Sequence, residues 1–263
     1  MKVRISQDAR PQAITLLAAA AISIVLWFIP FAEVLTYPFR LFVTFIHEGG
    51  HAVAALLTGN SVASLSVALN ASGETYTTRG GVFSQILVAS SGYLAAMGYG
   101  ALLLVLIRKA VAARLVLIGS AGVILTLTLV YGFLKPLISW GVLSGVPFTL
   151  LAGIGLSAGL IAVAKLAKPR VATFFVSFLA VQCILNALLD LKTVFFLSTP
   201  FAPSVPTDAV NMANVTGIPA IFWSILWIVI AFAILSVAMR LYVVARDRSV
   251  VQPDLPFEEA PEA

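Results

Sequence analysis

Seven long apolar stretches constrain the fold of this chain more than any other feature of its sequence. A helix that crosses a bilayer needs about 20 mostly apolar residues, and each stretch is of that order. The stretches lie at residues 13–31, 38–58, 82–107, 114–134, 143–165, 171–197 and 219–244. Between the fourth and the fifth, Pro136 removes a backbone hydrogen-bond donor, so we expect a helix break near that residue. The pattern predicts an all-α polytopic membrane protein with about six or seven transmembrane helices.

The composition excludes the main classes of soluble protein. Of the 263 residues, 60% are hydrophobic and 10% are charged, whereas about a quarter of the residues in a typical soluble domain are charged. The single cysteine, Cys183, excludes an intrachain disulfide framework and a metal site built from cysteines. The net charge is +5, but most basic residues stand at the ends of apolar stretches, where they anchor helices at lipid headgroups. We therefore expect the lipid bilayer as a partner and no nucleic acid.

Three other segments interrupt or follow the apolar stretches. Residues 59–81 alternate small polar and apolar residues between glycines, which predicts a short β-hairpin after the second stretch. Residues 198–218 contain three prolines and predict a loop. Residues 252–263 are rich in proline and acidic residues and predict a disordered tail. We therefore expect a single transmembrane domain over residues 1–251, followed by that tail.

A pattern typical of metal sites lies within the second apolar stretch. His47-Glu48-Gly49-Gly50-His51 has the form H-E-x-x-H, and residues four apart lie on one face of a helix. His47 and His51 can therefore offer imidazole nitrogens to one metal ion, and Glu48 can act as a general base on a bound water. These are the two histidines of the chain. Because ionisable side chains are costly at membrane depth, a metal ion would compensate for them. The alternative interpretation is a polar patch that binds a neighbouring helix or lines a transport path.

A zinc ion held by two histidines needs a third protein ligand, and two aspartates are candidates. Asp190 lies about two thirds of the way along the sixth apolar stretch, which matches the depth of His47 and His51 if every stretch crosses the membrane. Asp208 lies beyond the end of that stretch and reaches the histidines if the proline-rich loop folds back. The matching depth favours Asp190, with Asp208 as the alternative third ligand. Asn186, one helical turn before Asp190 on the same face, is placed to form a hydrogen bond with that ligand or to bind a carbonyl group of the substrate.

The sequence resembles the site-2 protease family of intramembrane zinc metalloproteases, and within it a compact bacterial branch without a PDZ domain. The resemblance extends over about residues 38–230. It is carried by the H-E-x-x-H motif, the strand-like segment 61–79, Ser90-Ser91-Gly92-Tyr93 and Thr207-Asp208-Ala209.

The resemblance implies a multi-pass protein of the bacterial cytoplasmic membrane that binds Zn²⁺ and cleaves a single-pass membrane-protein substrate. It implies peptide-bond hydrolysis by a zinc-activated water, with Glu48 as the general base. The strand-like segment 61–79 is then predicted to pair with an extended substrate. Two other functions stay open on the sequence: a catalytically silent relative that binds clients or zinc, and a small transporter.

Overall fold

The computed structural model describes residues 10–26, 28–108, 111–139, 143–199, 201 and 205–243. Within these residues the chain is mostly helical and contains one two-stranded sheet. The tail predicted at residues 252–263 lies outside the described part of the chain.

Helices occupy all seven of the predicted apolar stretches. The helices of the described residues are α1 (Arg10–Leu26), α2 (Glu33–Leu57), α3 (Val82–Arg108), α4 (Ala113–Thr126), α5 (Lys135–Ile138), α6 (Val146–Leu166), α7 (Pro169–Leu197), α8 (Asp208–Thr216) and α9 (Ala220–Val243). The short helices α5 and α8 lie between the apolar stretches, and α8 is part of residues 198–218, for which the sequence predicted a loop. Five helical stretches of the described residues are long and apolar enough to cross a membrane, at Val82–Arg108, Ala113–Ile138, Val146–Leu166, Pro169–Leu197 and Ala220–Tyr242. α1 is a shorter apolar helix, and α2 carries the polar H-E-x-x-H motif. The predicted fold class, an all-α membrane protein, is confirmed.

The helix does not break at Pro136, as we expected, but ends two residues later. α4 continues without interruption as a π-helical segment (Leu127–Leu134) and then as α5, so the helix passes through Pro136 and ends at Ile138. A proline lacks the backbone N–H and crowds the carbonyl group four residues earlier. The longer hydrogen-bond register of a π-helical turn relieves that crowding, so the chain need not break at the proline.

The predicted β-hairpin follows α2. β1 (Val62–Val67) pairs antiparallel with β2 (Gly73–Thr77), and Leu65 lies opposite Thr75. β1 packs against α2, the π-helical segment and α6, and the side chains of Val62, Leu65 and Val67 are buried. β2 alternates half-buried and exposed residues. Because the described sheet has two strands, the outer edge of β2 is unpaired among the described residues.

Side chains of α2 hold the turn between the two strands. The hydroxyl of Tyr37 donates a 2.6 Å hydrogen bond to the carbonyl oxygen of Leu69. The hydroxyl of Thr44 lies 2.7 Å from the carbonyl oxygen of Ala71, whose φ of 63° puts the backbone in the left-handed region typical of tight turns. The hairpin is therefore fixed over the N-terminal half of α2.

The core lies around α3, which packs against α2, α7 and α9. Phe45 of α2, Met97 of α3 and Leu179 of α7 are fully buried there. On the outer faces large apolar side chains are exposed, such as Leu151 of α6 and Val229 of α9. An apolar surface of this kind is suited to contact with lipid.

Candidate metal centre

His47 and His51 lie side by side on one face of α2. Their Nε2 atoms are 3.0 Å apart, as the four-residue spacing predicts. Nδ1 of His51 lies 2.7 Å from the carbonyl oxygen of Val88 on α3. Histidines that bind metals commonly use their second ring nitrogen for such a contact, which fixes the ring orientation. The two Nε2 atoms therefore converge on one point.

Asp208, the first residue of α8, lies next to both histidines. Its Oδ2 is 3.7 Å from Nε2 of His47 and 3.6 Å from Nε2 of His51. The three potential ligand atoms lie within 4.8 Å of one another. Burial raises the pKa of the Asp208 carboxyl. The polar contact with His47 and the charges of His51 and His47 together lower this pKa by more than burial raises it, so the pKa lies below its ordinary value. The carboxylate is thus available as an anionic ligand.

This set of donors fits a tetrahedral metal ion. Bonds of about 2.0–2.1 Å place the ligand atoms of a tetrahedral zinc ion about 3.3 Å apart. The three separations here are 3.0, 3.6 and 3.7 Å. Gly92 of α3 has no side chain, and this leaves space beside the histidines. A Cβ atom at Gly92 would collide with Nε2 of both His47 and His51. The residues present are therefore compatible with a bound divalent metal.

The position of α8 brings Asp208 to the histidines. Thr207 caps α8 by accepting a 3.2 Å hydrogen bond from the backbone N–H of Val210. Ala209 and Met212 are fully buried where α8 packs against α3 and α9. Burial of these apolar side chains anchors α8 and fixes the position of the aspartate in its first turn.

Asp190, the third ligand that the sequence favours, does not lie within the cluster. It lines the same cavity from the C-terminal part of α7, and it is exposed there. The space beside the histidines is taken by Asp208 and by Tyr93 of α3, whose ring centroid is 4.6 Å from that of His47. Matching depths along two helices set a common level in the membrane but not a lateral distance. The structure therefore brings the alternative aspartate, Asp208, to the histidines.

Asn186, the predicted substrate-binding residue, is not among the described residues that line the cavity. Its amide nitrogen donates a 2.8 Å hydrogen bond to the carbonyl oxygen of Gln182. The amide of Gln182 in turn donates to the hydroxyl of Ser23 on α1, at 3.1 Å. Asn186 thus belongs to a polar contact between α7 and α1.

Glu48 is buried beside the histidines, with 4% of its surface exposed. Its Oε2 accepts a 2.7 Å hydrogen bond from the hydroxyl of Thr75 on β2. The hairpin comes close on this side, since a Cβ atom at Gly73 would lie 2.5 Å from Oε1 of Glu48. Sequence reasoning did not identify Thr75, because a threonine in a strand carries no signal of the side chain that it meets.

An aromatic pair supports His47 from the side of α3 and α9. The ring of Tyr93 packs edge-on against His47 and lies 5.4 Å, centroid to centroid, from the ring of Trp227. The indole N–H of Trp227 donates a 3.0 Å hydrogen bond to the hydroxyl of Ser90. Ser90 and Tyr93 belong to the segment on which the family resemblance rests, and the structure now gives them a place beside the cluster.

A cavity of about 1450 Å³ contains this cluster. His47, Glu48 and His51 line it together with β2, the C-terminal part of α7 and the first turns of α8. Pockets for small ligands usually measure about 300–1,000 Å³. The cavity is therefore large enough for a segment of polypeptide.

Comparison with known proteins identifies the family. A family model described as Peptidase M50B-like matches residues 15–238, which include the cluster and Glu48. No curated protein and no solved structure matched the chain. With this match over most of its length, the chain belongs to the Peptidase M50B-like group of the site-2 protease family and is an integral membrane metallopeptidase.

Proposed function

We propose that this metallopeptidase is an intramembrane zinc protease that hydrolyses a peptide bond in or near a transmembrane segment of another membrane protein. The observation that carries the proposal is the convergence of His47, His51 and Asp208 beside the buried carboxylate of Glu48. Three protein ligands, two of them histidines, are typical of catalytic zinc sites. His47, His51 and Asp208 would hold the zinc, which supplies Lewis-acid activation of a water molecule and of the scissile carbonyl.

Glu48 is the proposed general base. Its carboxylate accepts a proton from the attacking water and then transfers that proton to the nitrogen of the leaving group. The hydrogen bond from Thr75 restricts the rotation of the carboxylate, so its orientation is set before substrate arrives. Burial of Glu48 keeps bulk water away from the proton that it carries.

An extended segment of the substrate is proposed to bind along β2. Residues Gly73 to Thr77 line the cavity, and the outer edge of β2 is unpaired in the described part of the chain. An extended chain can add to such an edge through main-chain hydrogen bonds. The backbone N–H of Val67 and the carbonyl oxygen of Ala63 on β1 form hydrogen bonds with the side chains of Thr149 and Ser139, so among the described residues the open edge is that of β2. A helical substrate must unwind before it can bind there, because its carbonyl groups are bonded within the helix.

Cleavage of a defined membrane probe tests the proposal. The full chain, purified in detergent and loaded with zinc, would be incubated with a single-pass leucine–alanine helix that is interrupted by glycines. We expect mass spectrometry to show cleavage within or beside this helix. A zinc chelator and the variant Glu48→Gln should both abolish the products.

Glu33→Gln is the matched control, because it removes an exposed carboxylate at the start of the same helix. It should cleave the probe as the wild type does. The proposal is contradicted if the zinc-loaded wild type yields no products, or if Glu48→Gln cleaves at the wild-type rate.

A further inference from the structure

The carboxylate of Asp190 lies in the cavity without a direct partner. Among the described residues, none forms a hydrogen bond or an ion pair with it. The charges of His47 and Arg40 act on it from further away. Carboxylates within membrane spans are rare, and they usually face a cavity and mark the path of a substrate or an ion. The carboxylate of Asp190 is therefore open to a ligand that enters the cavity.

The other carboxylates of the cavity lining are already engaged. Asp208 lies against the two histidines, Glu48 accepts the hydrogen bond from the hairpin, and Glu74 interacts with the tyrosine two residues further along β2. Arg79 is the one lysine or arginine among the described lining residues. The lining is thus richer in acidic than in basic side chains, and Asp190 is the acidic group of the described lining for which no hydrogen bond or ion pair is seen.

We propose that Asp190 is a specificity-determining residue that binds a Lys or Arg side chain of the substrate near the scissile bond. The inference rests on the proposed function. β2 and the part of α7 that carries Asp190 and Thr193 line the same cavity. Alternate side chains of a strand added to β2 point to opposite faces, so a substrate strand would offer one of its two sets of side chains to the part of the lining that carries Asp190. A cationic side chain in that set would pair with Asp190 through its opposite charge.

Peptide binding tests this inference without requiring turnover. The protein would be the full chain with Glu48→Gln, in detergent and loaded with zinc. The probes would be fluorescent apolar peptides of about twelve residues, long enough for one strand, with Lys, Gln or Glu placed in turn at each position. At one or two positions we expect the Lys peptide to bind about tenfold more tightly than the Glu peptide, as for an ion pair partly shielded from water.

Three further variants assign the preference to a residue. Adding Asp190→Asn should remove the preference for Lys, and adding Asp190→Lys should reverse it in favour of Glu. Glu33→Gln is the matched control, since it removes an exposed carboxylate that is not among the residues lining the cavity. It should keep the preference for Lys. An equal loss in Glu33→Gln would attribute the preference to overall charge and overturn the inference.

The remaining outcomes separate this inference from the proposed function. Cleavage of the same peptides by wild type, with no charge preference in binding, overturns the role of Asp190 and leaves the protease intact. A charge preference that depends on Asp190, without cleavage by wild type, retains the binding role and overturns the protease. Failure of every peptide to bind also overturns the inference. Zinc content should be unchanged in Asp190→Asn, and a loss of zinc there would make Asp190 a ligand instead.

Discussion

Oγ1 of Thr75 donates a hydrogen bond across 2.7 Å to Oε2 of Glu48 and thereby joins the β-hairpin to α2 beside the candidate metal centre. The same hydroxyl lies 3.2 Å from the backbone oxygen of Glu48. β2 thus lines the cavity and also holds the buried carboxylate. In the proposed mechanism, one strand couples the binding of an extended substrate to the orientation of the general base.

Loss of the Thr75 hydroxyl is predicted to slow turnover without removing the metal. In Thr75→Val the carboxylate of Glu48 loses its hydrogen-bond donor, and a hydrogen bond to a charged group contributes about 1.5–3 kcal/mol. We expect the cleavage rate of the membrane probe to fall by about tenfold or more, with wild-type zinc content. Thr75→Ser keeps a hydroxyl and should retain most of the activity. Equal rates for Thr75→Val and wild type would show that this hydrogen bond does not orient the base.

A side chain at position 92 is predicted to abolish metal binding. The Cβ atom of Gly92→Ala would occupy the space between α3 and the Nε2 atoms of both histidines. Zinc measured by atomic emission should fall to background in this variant, while circular dichroism shows the helical content of the wild type. Gly98→Ala is the matched control on the same helix, because a Cβ atom there meets no atom within 4 Å apart from the neighbouring backbone of α3. Full zinc content in Gly92→Ala would mean that the ion does not lie between these histidines.

Truncation of a buried side chain of α8 that is not a metal ligand is predicted to lower the zinc affinity. Met212 of α8 is fully buried. Truncation of a buried methionine to alanine lowers the free energy of unfolding by about 2–5 kcal/mol. We expect the zinc affinity of Met212→Ala, measured by competition with a chelator, to fall by about tenfold or more, because Asp208 is held by the same helix. Met239→Ala removes an exposed methionine of α9 and should leave the affinity unchanged. Similar affinities for both variants would indicate that the packing of α8 does not position the aspartate.

The parts of the structure that sequence reasoning predicted are those fixed by local periodicity. The apolar stretches give the helices, the alternation after Gly59 gives the hairpin, and a spacing of four residues places His47 beside His51. Contacts between distant segments carry no such signal. The approach of Asp208 depends on how α8 packs against α3 and α9, and the donor to Glu48 comes from a strand that folds back over α2.

The zinc content of the purified chain tests the central claim, the assignment of His47, His51 and Asp208 as the metal ligands, most directly. Wild type, Asp208→Ala and Asp190→Ala would be purified in the same detergent and matched for helical content. We predict about one zinc per chain in wild type and in Asp190→Ala, as for a site with three protein ligands, and loss of zinc in Asp208→Ala. Retention of zinc by Asp208→Ala together with its loss from Asp190→Ala would contradict the assignment.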